Sequence, residues 1–206
     1  MEKIDYKKKL SRFYAVKKGQ ITMEDVPAMN YLTITGEGNP NTSNDYKKAV
    51  EALYTLSYAI KFKIKKGEMR IDYAVMPLEG QWWTDDMKDF SVYNKDKWKW
   101  TMAIMQPEFV TSALVDLCKE EVREKKDPPS LDKIHFENVQ DGLSAQILHT
   151  GPYAEEAPTI ALLHKTIKER GFMLSGKHRE IYLNDPRRTA GENLRTIIRQ
   201  PISEQN

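Results

Sequence analysis

The chain has 206 residues and a mass of 23.9 kDa, enough for one or two domains built on a real hydrophobic core. Apolar residues make up 40% and charged ones 30%, which excludes a disordered chain, and Lys+Arg 32 against Asp+Glu 30 leaves a net charge of +2, which argues against a dedicated nucleic-acid binder. A single cysteine, Cys118, excludes an internal disulfide and any multi-cysteine metal site, and no apolar run approaches the roughly 20 residues of a membrane span. The lysine-rich start, Met1 to Leu10, has no hydrophobic stretch behind it, so a secretory signal is not expected and a cytoplasmic location is.

Residues 1–25 carry mixed charge and weak periodicity and read as an N-terminal arm. Met29 to Thr35 is rich in β-branched and aromatic residues and stops at Gly36-Glu-Gly38, a strand and its exit. Ser43 or Asn44 caps a helix over Asp45–Phe62, where Tyr46, Val50, Leu53, Leu56 and Ile60 fall at helical spacing before Lys65-Lys66-Gly67. Arg70 to Leu78 reads as one strand, Gly80 to Lys97 as a polar segment, and Trp98 to Met105 as a strand closed by Gln106-Pro107. A helix follows with Val110, Ala113, Leu114 and Leu117 on one face, ending before Asp127-Pro128-Pro129. Leu143–His149 reads as a strand, Pro158–Arg170 as a helix, and Arg179–Leu183 and Leu194–Arg199 as two more strands.

Three short segments recur in the same order. Ile34-Thr35-Gly36 echoes Leu148-His149-Thr150-Gly151, Tyr73-x-x-x-Pro77 echoes Tyr182-x-x-x-Pro186, and Ile104-Met105-Gln106-Pro107 echoes Ile198-Arg199-Gln200-Pro201. Together they predict an α+β fold of two β-α-β-β units: a first repeat over about 26–107, a connecting helix over about 108–126, and a second repeat over about 134–202, all within one domain of residues 26–206. From Tyr73 to Gln106 is 33 positions and from Tyr182 to Gln200 is 18, so the first unit holds surplus chain around Trp82 and Trp83.

The aromatic load is high, with four Trp and ten Tyr, and the tryptophans cluster at 82, 83, 98 and 100. Such rings mostly build cores. Adjacent residues of a strand face opposite ways, however, so Trp82 and Trp83 cannot both enter one core, and a ligand surface is a candidate for the other ring. Glu180 and Tyr182, two apart, share one face of their strand. His149, before Thr150-Gly151-Pro152-Tyr153, either orients a helix entrance or serves as an acid or base. His135, His149, His164 and His178 show no metal-ligand spacing, and Asp85, Asp86 and Asp89 lack a calcium-loop pattern, so no metal is expected. Gly36-x-Gly38 has no third glycine, and neither a P-loop nor a G-x-S-x-G elbow occurs, so no cofactor is expected. Cys118, beside Leu114 and Leu117, reads as a buried inert thiol.

Leu148-His149-Thr150-Gly151-Pro152-Tyr153, followed by a helix and then Glu180-Ile181-Tyr182-Leu183-Asn184-Asp185-Pro186, resembles the GyrI-like small-molecule-binding domain. Val75 to Trp83 (VMPLEGQWW) and Lys99 to Pro107 (KWTMAIMQP) are similar to the stand-alone branch of that family, and the resemblance spans Ile21 to Ile202. It implies an SHS2-type tandem of β-α-β-β units with pseudo-two-fold symmetry, an antiparallel sheet with helices on one face, and a central cleft for aromatic or cationic drug-like compounds. The acidic residue of that cleft corresponds to Glu180. About 25 residues precede the first strand, too few for the helix-turn-helix module of related transcription activators, so direct nucleic-acid binding is not expected.

Stand-alone relatives resembling this chain hydrolyse cyclopropane-bearing DNA alkylators in an aromatic cage. The resemblance therefore implies a detoxifying hydrolase with Glu180 in its cleft; the candidates around it are Tyr182 or His149 as a proton donor, and Tyr73, Trp82 or Trp83, Trp98 or Trp100, Phe109 and Tyr153 around an aromatic ligand, the motif leaving open which ring plays which part. Two other readings stand beside it: a non-catalytic binder or sensor of aromatic or cationic compounds, and a protein that inhibits gyrase by binding it.

Overall fold

A computed structural model describes residues 1–85 and 95–204; Asp86, Asp89, Phe90 and Tyr93 lie outside the described residues. In chain order the elements begin β1 (Glu2–Ile4), α1 (Tyr6–Lys9), α2 (Ser11–Tyr14), β2 (Ile21–Val26), β3 (Met29–Glu37) and α3 (Asn44–Lys66). There follow β4 (Ile71–Tyr73), β5 (Leu78–Trp83), β6 (Lys99–Gln106), α4 (Ser112–Lys125) and β7 (His135–Val139). The chain closes with β8 (Gly142–Thr150), α5 (Ala157–Glu169), β9 (Phe172–Leu174), β10 (Arg179–Tyr182) and β11 (Arg195–Glu204). The fold is mixed α+β with mostly antiparallel strands, and no described helix is long and apolar enough to cross a membrane.

The chain divides into two compact units. The first comprises Met1–Lys9, Met29–Met76 and Trp83–Val139. Here β3 pairs antiparallel with both β6 and β7, and β1 pairs in parallel with β4. The long helix α3 starts where Ser43 accepts a hydrogen bond from the Tyr46 N–H, and it buries Ala49, Leu53, Leu56, Ile60 and Ile64 at three- and four-residue spacing. It stops at Gly67, where a Cβ would meet the Lys63 carbonyl oxygen at 2.7 Å. Across β3, Gly36 faces Trp100, whose indole would lie 2.4 Å from any added Cβ; the missing side chain is what lets the ring lie flat over the strand. Helix α4, capped by Thr111, buries Val115, Cys118 and Val122.

The second unit comprises Leu10–Ala28, Pro77–Trp82 and Gln140–Asn206. Its strands run β2-β8-β11-β10-β5, all antiparallel, and β9 joins the far end of β11. Helix α5, entered through Pro158, packs Leu163 and Ile167 on Ala145, Ile147, Ile198 and Ile202. Fully burying an aliphatic chain of this kind contributes about 1.5–3 kcal/mol.

The structure departs from the sequence reading in three places. The stretch 1–25 is built into the fold: β1 pairs with β4, and β2 pairs with β8 from Ile21↔Ile147 to Val26↔Gly142. Arg70–Leu78 is two strands rather than one, because Pro77 has no N–H to give to a ladder, and β5 then carries Trp82 and Trp83 as strand residues. The echoed segments fall on β3 and β8, β4 and β10, and β6 and β11, yet β4 pairs in parallel with β1 whereas β10 pairs antiparallel with β5 and β11.

Candidate functional site

Strand β10 separates two kinds of chemistry by simple alternation. Arg179 and Ile181 point to one face and are buried; Glu180 and Tyr182 point to the other and are half-buried. On the Glu180 face the residue opposite on β5 is Gly80, so no side chain projects from the neighbouring strand at that row. Two residues along β5, the Trp82 indole N–H donates to the Tyr182 hydroxyl oxygen at 2.9 Å. The Tyr182 O–H donates in turn to Glu180 Oε2 at 2.7 Å. His178 Nε2 meets the other carboxylate oxygen, Oε1, at 3.0 Å. Glu180 and His178 each leave 14% of the side chain exposed. The exposed Tyr153 ring stands edge-on to Tyr182, with centroids 5.4 Å apart and planes at 69°.

His149 belongs to the support of this site. Its Nδ1 lies 2.9 Å from Thr159 Oγ1 and its Nε2 lies 3.3 Å from the Pro152 carbonyl, so both ring nitrogens are engaged. The ring ties the Gly151-Pro152 turn to the start of α5 and so fixes where Tyr153 stands. Gly151 takes φ +135°, and a Cβ there would press on His149 Nε2 at 3.4 Å, which favours glycine at that turn.

The opposite face holds a sealed ionic network. Arg179 donates to Glu79 Oε2 at 3.1 Å and grips Asp141 with two bonds at 2.9 and 3.0 Å. Arg199 reaches Asp141 at 3.2 Å, Gln146 Oε1 at 3.0 Å and the Phe13 carbonyl at 2.9 Å. The Tyr14 hydroxyl donates to Glu79 Oε1 at 2.6 Å. Glu79, Arg199 and Gln146 are fully buried. Burial holds Glu79 above the ordinary carboxyl range even beside Arg179. Burial also works against Asp141, but there the guanidinium groups of Arg179 and Arg199 outweigh it and hold the carboxyl below its ordinary range.

The remaining aromatic candidates lie in the first unit. Tyr73 and Phe109 pack edge-on with centroids 5.9 Å apart, and Tyr6 stands against both at 6.1 and 6.4 Å. The Tyr6 hydroxyl donates to Glu108 at 2.6 Å, and burial followed by Glu108 raises its pKa. Trp100 is 1% exposed and meets Tyr46 edge-on at 5.4 Å. The Lys95 amine stands 5.1 Å over Trp98, and Trp83 is half-buried at the end of β5. Cys118 is buried, its thiol pushed up to about 11 by desolvation, which leaves it unreactive. No group of three or more His, Cys, Asp or Glu suited to a metal occurs among the described residues.

Sequence reasoning missed His178 and the whole Glu79–Arg179–Asp141–Arg199 network. The spacing His178-x-Glu180-x-Tyr182 was available as a sign that all three share a face. The network had a fainter sign: Arg179 alternates with Ile181, and Arg199 with Ile197, on positions that a strand buries.

Solved structures give close likenesses. An uncharacterized conserved protein from Listeria innocua superposes with a TM-score of 0.90 at 38% identity, covering 97% of this chain and 100% of that one. Two structures described as hydrolases from Listeria innocua score 0.88 and 0.85 at 37% and 36% identity, covering 98% and 97% of this chain and all of theirs. The C-terminal domain of EcmrR shares the fold at a TM-score of 0.55 and 11% identity, covering 90% of this chain and 98% of that domain. No curated protein matches the chain at a comparable level. The sequence matches the GyrI-like small molecule binding domain over residues 19–203, so the chain belongs to the GyrI-like small-molecule-binding family.

Proposed function

We propose that the protein is a hydrolase that opens the strained ring of cyclopropane-bearing DNA alkylators by adding water, with Glu180 as the base. The observation that carries this reading is the hydrogen-bonded series Trp82, Tyr182, Glu180 on one sheet face. The close Listeria structures described as hydrolases support it.

Trp82, Tyr153 and Tyr182 supply aromatic surface for a flat ligand, each ring contributing burial and stacking. Glu180 orients a water against the ring carbon. A carbon–oxygen bond forms, a ring carbon–carbon bond breaks, and the electron pair moves to the conjugated carbonyl oxygen, which ends protonated. Ring strain favours opening, so positioning the water and stabilising the developing oxyanion suffice. His149 is assigned a supporting role, since its nitrogens hold the turn that carries Tyr153.

A non-catalytic binder of cations would use Glu180 as a bare counter-ion. Tyr182 and His178 each hold one of its oxygens and leave the second lone pair of each free, for a cation or for a water. The test is to incubate a cyclopropane-bearing alkylator with the wild type, Glu180→Gln and Trp82→Ala, and to weigh the product. The expected result is a product heavier by one water that fades in both variants. Saturable quenching of tryptophan fluorescence with no water adduct would instead make the protein a binder.

A further inference from the structure

We propose that His178 is the positioning residue through which Glu180 passes on the proton it takes from water; this rests on the hydrolytic reading above. The two oxygens of Glu180 have different partners. Oε2 accepts from Tyr182, whose own oxygen already accepts from Trp82, so that side is committed to holding the carboxylate in place. Oε1 meets His178 Nε2 at 3.0 Å, and an imidazole carries a second ring nitrogen, so a proton taken at one nitrogen can leave from the other. His178 precedes β10 by one residue, and its two-residue spacing from Glu180 puts both on the same side of the strand.

The surroundings favour His178 over the other nearby histidine. His164 on α5 also senses His178, but burial, and then the charge of His178, lower its pKa and keep it neutral. Gln200 on β11 and Lys168 on α5 act on His164, Lys177 precedes His178 in the chain, and Tyr182 shares its carboxylate partner. His178 and Glu180 each keep 14% of the side chain exposed, so a proton passed to the imidazole has a route to solvent, and the neighbouring His164 is held neutral. In the reaction one proton of the attacking water goes to Glu180 and then to His178, which releases it to solvent. The carbonyl oxygen gains a proton, and the net change is the addition of one water with no oxidation or reduction.

His178→Gln and His178→Ala test this beside the wild type on a single cyclopropane-bearing alkylator. Glutamine can still hydrogen-bond Oε1 through its amide but cannot ferry a proton. Both variants are expected to lower kcat by about 10- to 100-fold. KM and the fluorescence-quenching midpoint should stay within about twofold, as for a residue that acts on the chemical step alone. Added imidazole should restore His178→Ala in proportion to its concentration. A His178→Gln enzyme as fast as the wild type, or a His178→Ala enzyme indifferent to imidazole, would overturn the proposal while leaving the hydrolase reading intact. A wild type that adds no water would remove that reading, and this proposal with it.

Discussion

The two faces of β10 place carboxylates within one strand spacing of each other and use them for opposite ends. On one face Glu79 is fully buried among Arg179, Arg199 and Tyr14, and nothing from solvent reaches it. On the other, Glu180 keeps an exposed edge and is held by a tyrosine and a histidine rather than by a guanidinium. Burial raises Glu79 even with a guanidinium beside it, whereas Glu180 has no guanidinium partner and keeps part of its side chain open. Alternation along β10 and its neighbour β5 thus puts the sealed Glu79 and the half-buried Glu180 on opposite faces of one sheet.

The sharpest way to break this comparison is Asp141→Ala. Asp141 is the shared partner of Arg179 and Arg199, and removing one member of a buried ion pair costs about 3–5 kcal/mol. Urea unfolding at neutral pH should show a loss of that order; a loss below about 1 kcal/mol would mean that the network is not holding the fold.

A smaller effect is expected from pH. Asp141 is held below the ordinary range, so its contribution is present above its unfolded value of about 3.9 and is lost as pH falls through its folded value. Glu79 runs the other way: raised by burial, it contributes fully below its unfolded value and loses that contribution as pH rises through its folded value. Unfolding curves across acidic pH should therefore lose their acid limb in Asp141→Asn and gain stability above that limb in Glu79→Gln. Parallel curves for the two variants would contradict the opposed assignments.

Outside this strand, Gly36→Ala serves as a contrast. The new Cβ would press into the Trp100 ring, and overpacking of this kind costs about 1–3 kcal/mol. The unfolding midpoint should drop while ligand quenching of Trp82 stays unchanged, and a shift in both would link the first unit to the site. Smallest of all, Tyr153→Ala should weaken ligand binding by about 1 kcal/mol, the worth of one edge-on aromatic contact, with kcat preserved. A fall in kcat alone would give Tyr153 a part in the chemistry.

Much of the fold was legible because its periodicities are strong. Leu53, Leu56 and Ile60 announce α3, and the alternation around Glu180 announces β10. β1 and β2 were not legible, since three residues of mixed polarity, or Ile21 to Val26 with its two carboxylates, become strands only through the partners that β4 and β8 supply. Of the candidate residues, the sequence offered types and spacings but not which of them would meet. Glu180, Tyr182, Trp82 and Tyr153 come together in one unit, and Tyr73, Phe109, Trp98 and Trp100 have packing partners in the other. Large rings look alike in sequence whether they line a ligand or a core. Charged residues are harder to place: arginines are mostly exposed, and the meeting of Arg179 and Arg199 with Asp141 is what lets both lie in the interior.

The most direct test of the division between the two faces is a paired measurement on Glu180→Gln: urea unfolding, and turnover of a cyclopropane-bearing alkylator followed by mass spectrometry. The account predicts stability within about 0.5 kcal/mol of the wild type, as for a change outside the buried network. It predicts turnover lower by about 100-fold or more, the scale of a lost general base. Full turnover in Glu180→Gln would contradict it.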